Sequence, residues 1–212
     1  MKARIFTCIA ACLFISNVSQ AQISEGKFLL GGAFSFYNAT NQNSSSVYTN
    51  LQFGKAIKDN TVIGVIGSIA ASNNNTGSRK YQVNSYSAGI FYRKYKPLAN
   101  NLYFFGELDA SYQHSKNTYT YFIDADQNLM TTSNGVAIGF IPGISYSVFK
   151  RMQMELTMPN IANISYTGVK TIAGYLPPSV PEQKANNFSA NVSLNSNLLS
   201  NFGIGFKFLL GK

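Results

Sequence analysis

The sequence predicts an all-β fold: one antiparallel, up-and-down barrel of eight strands, closed on itself. Three observations carry that expectation. Apolar residues alternate with small or polar ones at a period of two, as half-buried strands require. Helical periodicity is nearly absent. The connections between alternating stretches are long and short in strict turn.

The first 21 residues stand apart. Met1, Lys2, Ala3 and Arg4 make a short basic start, and residues 5–15 are apolar except for Thr7. Ser19 and Ala21 place small residues where a signal peptidase reads. This is the layout of a secretory signal peptide, too short to be a membrane-spanning helix. The expected domain is therefore 22–212. Cys8 and Cys12 would leave with the leader, which excludes disulfides, thiolate metal sites and cysteine nucleophiles from the mature chain. A lipoprotein cut before Cys12 would leave a leader of only 11 residues and is set aside. Losing Lys2 and Arg4 leaves 15 basic against 8 acidic residues, a net charge of +7.

Charged residues make up 12% of the chain, about half the usual share of a soluble domain. Thirteen Tyr and 16 Phe, with no Trp, leave a chain rich in aromatics and poor in charge. After residue 21 no apolar run reaches the roughly 20 residues of a transmembrane helix. Helical membrane proteins and highly charged disordered chains are both excluded.

The strands are predicted at roughly 26–37, 47–57, 61–72, 80–95, 101–115, 132–149, 152–167 and 187–210. The first alternates on Phe28, Leu30, Phe34 and Phe36. The second to fourth are less regular: 62–69 is apolar on both faces, and 81–95 mixes aromatics with Arg93 and Lys94. The fifth sets Leu102, Phe104 and Leu108 against Glu107 and Asp109. The sixth sets Ile138, Phe140 and Ile144 against Gly and Ser, and the seventh sets Met and Leu against Gln153 and Glu155. The last carries Phe202, Ile204, Phe206 and Phe208, with Lys207 on the other face. Its 24 residues are too many for one crossing, so a bulge or break is expected around 195–200. A ten-stranded alternative turns near Pro159 and Asn160. The long connections, above all 116–131 and 168–186, are rich in Asn, Ser and Thr. The short ones are Lys58-Asp59-Asn60, residues 97–100 and Lys150-Arg151. Sorting by parity is what a transmembrane outer-membrane barrel requires, with short periplasmic turns and long outer loops.

Alternation alone does not say which face meets water. Three features place the apolar face against lipid. The opposite face is crowded with Gly and Ser and carries Glu107, Asp109 and Glu155, which a dry core would not hold unpaired. Arg93 and Lys207 are the expected partners in a polar lumen network. Tyrosines gather near strand ends, at Tyr37, Tyr48, Tyr92, Tyr95, Tyr103, Tyr112 and Tyr146, as interfacial girdles do. The chain ends in an aromatic alternating strand, FGIGFKFLLGK. The basic residues sort as well: ten, including Lys27, Lys55, Lys58, Lys94 and Lys96, fall near the turn rim. Arg79, Lys80, Lys116, Lys170 and Lys184 fall on the loop side. Charge excluded from a lipid band explains a +7 domain better than nucleic-acid binding, for which no motif is present.

On leader, alternation, loop parity and the final strand, the chain resembles the small outer-membrane β-barrel proteins of the OmpX/Ail and OmpA-barrel type, grouped as a porin family. The terminal Gly211-Lys212 departs from the commonest ending, where the aromatic is last. The resemblance spans the mature chain and implies an outer-membrane location in a Gram-negative envelope. It implies outer-membrane lipid and lipopolysaccharide as surroundings, barrel-assembly machinery as an insertion partner, and a monomer. It contains no catalytic motif and no cofactor.

Candidate chemistry is thin. His114, with Ser111 and Ser115 nearby, would serve a lipid hydrolase. His114 shares parity with Leu108, however, and Ser115 points the other way, which spoils a nucleophile–base pair. Glu107 and Asp109 make a weak acid/base pair without a cleft. Residues 124–128, Asp-x-Asp-x-Asn, open like a calcium loop but lack its Gly and distal Glu. The expectation is a non-enzymatic barrel with a side-chain-filled lumen, working through its outer loops in adhesion, binding or envelope integrity. A narrow solute channel, a membrane hydrolase and a soluble ligand-binding barrel are the alternatives.

Overall fold

The computed structural model describes residues 23–39, 43–76, 79–121, 129–158, 161–173, 182–192 and 203–211. The leader, residues 124–128, Pro159, Asn160, Phe202 and the expected break at 195–200 lie outside them. The strands are β1 (Phe28–Ala39), β2 (Ser44–Lys58), β3 (Thr61–Asn75), β4 (Arg79–Ala99), β5 (Leu102–Tyr121), β6 (Leu129–Phe149), β7 (Met152–Thr157), β8 (Ala162–Ala173), β9 (Gln183–Val192) and β10 (Gly203–Leu210). All pairings are antiparallel, and the hydrogen-bonded order runs from β5 through β4, β3, β2, β1, β10 and β7 to β6, which pairs with β5 again. Eight staves therefore close a ring. β8 continues the seventh stave and pairs with β6 and β9.

Ten strand segments thus accompany a ring of eight, and the break between β7 and β8 lies opposite Pro142. Gly143 pairs with Thr157, and Phe140 with Ala162. Two residues of β6, Ile141 and Pro142, face four on the seventh stave. Pro142 has no N–H to give the ladder. The gap is bridged where the Met158 and Ile161 N–H groups donate to the Pro142 and Phe140 carbonyls at 2.9 and 3.1 Å. The surplus is two residues, so alternation survives it: Leu156 and Ile164 both face outward.

The three two-residue connections, 59–60, 100–101 and 150–151, lie at one end, here the turn end. Asn60 and Asn101 take left-handed φ values of 59° and 63° there, a conformation Asn tolerates better than most residues. At the other end, the loop end, the strands run further than the sequence suggests. Residues expected in the 116–131 loop are paired, with Lys116 opposite Thr132 and Tyr119 opposite Leu129. Likewise 168–173 pairs with β6 and 183–186 with β8. The apolar alternation stops there, but hydrogen-bonded pairing of Thr, Tyr and Asn continues past it.

The turn end of the interior is apolar. Ile23, Leu29, Val62, Phe91, Phe105 and Leu209 are buried together with Tyr95 and Tyr103. Ile23 reaches this cluster because its carbonyl accepts from the Asn60 N–H at 2.8 Å, while the Gly26 N–H donates to the Ala56 carbonyl at 2.9 Å. The N-terminal segment thereby caps the barrel.

Candidate functional site

Above that cap, inward positions of four staves converge on Arg93. Its Nε donates to Glu107 Oε2 at 2.7 Å. Its Nη1 donates to both Glu155 oxygens, at 2.7 and 2.9 Å, and to the Tyr95 hydroxyl at 3.0 Å. Its Nη2 donates to Gln52 Oε1 at 3.1 Å. Gln52 Nε2 in turn donates to Glu107 Oε1 at 3.0 Å, and the Tyr95 hydroxyl to Glu155 at 3.2 Å. Lys207 donates to Gln52 and stands 3.9 Å from Glu155. The guanidinium lies 4.4 Å from the Phe105 ring centroid, so the apolar cap is also its floor. Two cations and two carboxylates, all buried, balance with nearly every hydrogen-bonding group used. A buried cluster of this kind is costly to break one member at a time, because the survivor is left as a buried unpaired charge. Gly31 makes room for it: a Cβ there would strike the Lys207 side chain.

The structure therefore brings together four of the five expected lumen residues. Asp109 is left out. One of its carboxylate oxygens, Oδ1, is buried without a hydrogen-bond partner among the described residues. Gln52 and Tyr95 belong to the cluster too; the sequence reading passed over Gln52 and set Tyr95 in the girdle. Their signal was parity: Tyr95, two residues on from Arg93, lies on the same face of β4. Three of the tyrosines expected in the girdle are corrected on the same ground. Tyr95 and Tyr103 are buried in the interior, and Tyr48 faces inward with Asn50 and Gln52, lining a cavity. The side chain of Tyr37 lies outside the described residues. Tyr92 and Tyr112 face outward.

That cavity, about 320 Å³, opens directly above the cluster, between Tyr48, Asn50, Ile66 and Thr157, with Arg93, Glu107, Glu155 and Lys207 as its base. Farther toward the loop end, the described inward side chains are half-buried, as at Ser111 and Ser115, or exposed, as at Gln113 and Asn187.

The outer wall is the inverse. Phe34, Leu108 and Phe206 do not converge; they are 70, 51 and 44% exposed. Phe28, Leu30, Phe36, Phe104, Ile138, Ile144, Ile204 and Phe208 are exposed as well, while Leu102 and Phe140 are half-buried on the same face. Large apolar side chains thus face outward on every stave, far more than a water-facing surface normally carries in one patch. His114 belongs to this wall. Its ring stacks on Tyr86 at 4.7 Å, and its Nδ1 donates to Asn134 Oδ1 at 2.6 Å, the oxygen that also accepts from the Tyr112 hydroxyl. Ser115 bonds Asn117 instead. Among the described residues no group of acidic, His or Cys side chains is placed to hold a metal ion.

The class these features define is a closed, eight-stave antiparallel barrel, turned apolar side out, with an ion-paired interior. No family model and no curated protein matches the chain. Among solved structures it is similar to a major outer membrane protein from Thermus thermophilus, at 9% identity over 87% of this chain and 99% of that one, with a TM-score of 0.48. It is also similar to the translocator domain of the autotransporter NalP from Neisseria meningitidis, at 11% identity over 98% and 94%, with a TM-score of 0.39. Both scores are below 0.5, and the ring stands on its own hydrogen-bond ladder.

Proposed function

We propose that the protein is an integral outer-membrane β-barrel with a closed lumen and no enzymatic activity. Its extended loop-end hairpins would then serve as the surface for adhesion, binding or envelope integrity. The observation that carries this reading is the inversion: exposed Phe, Leu and Ile outside, a neutral cluster of buried ions inside. Hydrocarbon suits the first and excludes water from the second. The reading is tested by heat-modifiable gel migration of detergent-extracted outer membranes, followed by planar bilayer recording. A heat-shifted band without conductance is expected. A protein released into the periplasm without detergent would sink it.

The cavity above Arg93 favours one second reading, a narrow channel for small solutes gated at the cluster. It predicts steady conductance that changes in Glu107→Gln or Lys207→Met. The hydrolase alternative requires His114; lipid modification unaltered in His114→Ala would end it.

A further inference from the structure

We infer that the seam between β1 and β10 is a lateral port that holds a single-chain amphiphile with a carboxylate head, a long-chain fatty acid. The inference rests on the membrane reading above and gives the cavity over Arg93 an occupant.

The seam is a break in the ladder that closes the ring. β1 pairs with β10 from Phe28–Leu210 to Gly32–Phe206 and, among the described residues, no further. Both strands nevertheless continue. Ala33, Phe34 and Ser35 stay paired with Asn50, Thr49 and Tyr48 of β2. Gly203, Ile204 and Gly205 stay paired with Thr157, Leu156 and Glu155 of β7. Two strand edges therefore part between Phe34 and Ile204, both exposed on the outer wall. Backbone polar groups turned toward hydrocarbon are costly, so a barrel keeps such a break only where something polar meets it. The facing positions are also nearly without bulk, with Ala33 on one edge and Gly203 and Gly205 on the other.

Two spaces meet at this break. The cavity above the ion cluster touches both of its edges, Gly32 and Ala33 on one side and Gly203 to Gly205 on the other. A separate apolar groove of about 210 Å³ lies on the outer wall over Ile144, Tyr146, Met154 and Leu156. Ile204 lines both. A molecule reaching from one to the other has its head over the cluster and its tail against the wall, and the groove gives room for one alkyl chain. The cavity selects the head. Lys207 gives one N–H to Gln52 and stands 3.9 Å from Glu155, beyond hydrogen-bond distance, and an ammonium has three N–H groups to give. The Tyr48 hydroxyl and the Asn50 amide stand in the same wall. Glu107 and Glu155 also lie at the base, but their oxygens are turned to Arg93, Gln52 and Tyr95. Donors beside a cation favour an anionic acceptor. A carboxylate on one chain matches both spaces, whereas a two-chain phospholipid leaves one chain without a groove.

The test is native mass spectrometry of the folded protein in maltoside micelles, with palmitate, 1-hexadecanol and phosphatidylglycerol as separate probes. Palmitate is expected to be retained most tightly. Gly205→Leu should abolish its retention. A Cβ at Gly205 meets nothing nearer than the Gly32 carbonyl at 3.8 Å, so leucine there fills the cavity without moving the backbone. Asn50→Ala should weaken retention about fivefold. Heat-modifiable migration should be unchanged in both variants, which separates lost binding from lost folding. Undiminished retention of palmitate in both overturns the port. Hexadecanol held as tightly as palmitate overturns the carboxylate assignment, and phosphatidylglycerol held as tightly overturns the single chain. A wild-type chain with no heat-modifiable form and no insertion into phosphatidylcholine vesicles overturns the membrane reading itself, a different result from any of these.

Discussion

The turn-end and loop-end halves of this barrel are built from the same strands and held by different forces. At the turn end, Leu29, Phe91, Phe105 and Ile23 are packed against one another, and four charged side chains neutralise each other above them. At the loop end, the same hairpins continue as backbone ladders with side-chain contacts between neighbouring strands. Examples are the Tyr81–Tyr119 stack at 4.3 Å and the Thr131–Thr171 hydroxyl pair at 3.3 Å. A residue at the turn end answers to staves on several sides; one at the loop end answers mainly to its flanking strands. Among the described residues, packing across the interior is confined to the turn-end half, so the cost of substitution should be too.

Arg93→Met tests that division most severely. It strands Glu107 and Glu155 in the interior, and about 3–5 kcal/mol of stability should be lost, read as a shifted urea midpoint in detergent or vesicles. Phe105→Ala removes both the packing of the cap and the floor under the guanidinium. About 3 kcal/mol is expected in the same assay. Lys207→Met should cost less than either, because Lys207 leans on the neutral Gln52 and stands farther from Glu155; a loss as large as that of Arg93→Met would show that the cluster has two centres. Tyr119→Ala, at the loop end, should cost no more than about 1 kcal/mol, and Thr131→Ala should stay within about 0.5 kcal/mol. A loop-end substitution as damaging as Phe105→Ala would abolish the distinction between the halves. The smallest effect belongs to Glu182. Hydrogen bonds from Lys170 first, and then from Lys184, hold its carboxyl below the usual range. Any stabilisation is therefore present above the ordinary carboxylate pKa and lost as pH falls through the lowered value. Melting curves of wild type and Glu182→Gln should converge in acid.

The division also explains what the sequence could disclose. Period-two alternation is local, so the face assignments of Phe34, Leu108, Glu107 and Glu155 were legible from their neighbours. The meeting of Gln52, Arg93, Glu155 and Lys207 was not, because they stand on β2, β4, β7 and β10. Their common level is set by cross-strand register and ring closure, which no single stretch of sequence contains. Tyr95 and Tyr103 were misread because aromatic type was weighed above parity, and parity decides direction. The loop-end extensions were missed because polar strands lack the apolar beat that marks a strand buried on one side. The interruption near Pro159 was half visible. A proline marked the place where the ten-stranded alternative turned, and the pairing of Phe140 with Ala162 bears out the eight that the sequence predicts.

The double surplus at residues 158–161 has a consequence for how the chain can be edited. Adding or deleting residues there in twos leaves every downstream residue of β8 on its present side. A single insertion would turn Ile164 and Tyr166 toward the axis and send Ser165 and Thr167 outward. Length variation among descendants of this chain should therefore favour even steps at that point, and an odd one would have to be matched by a compensating change before the next hairpin.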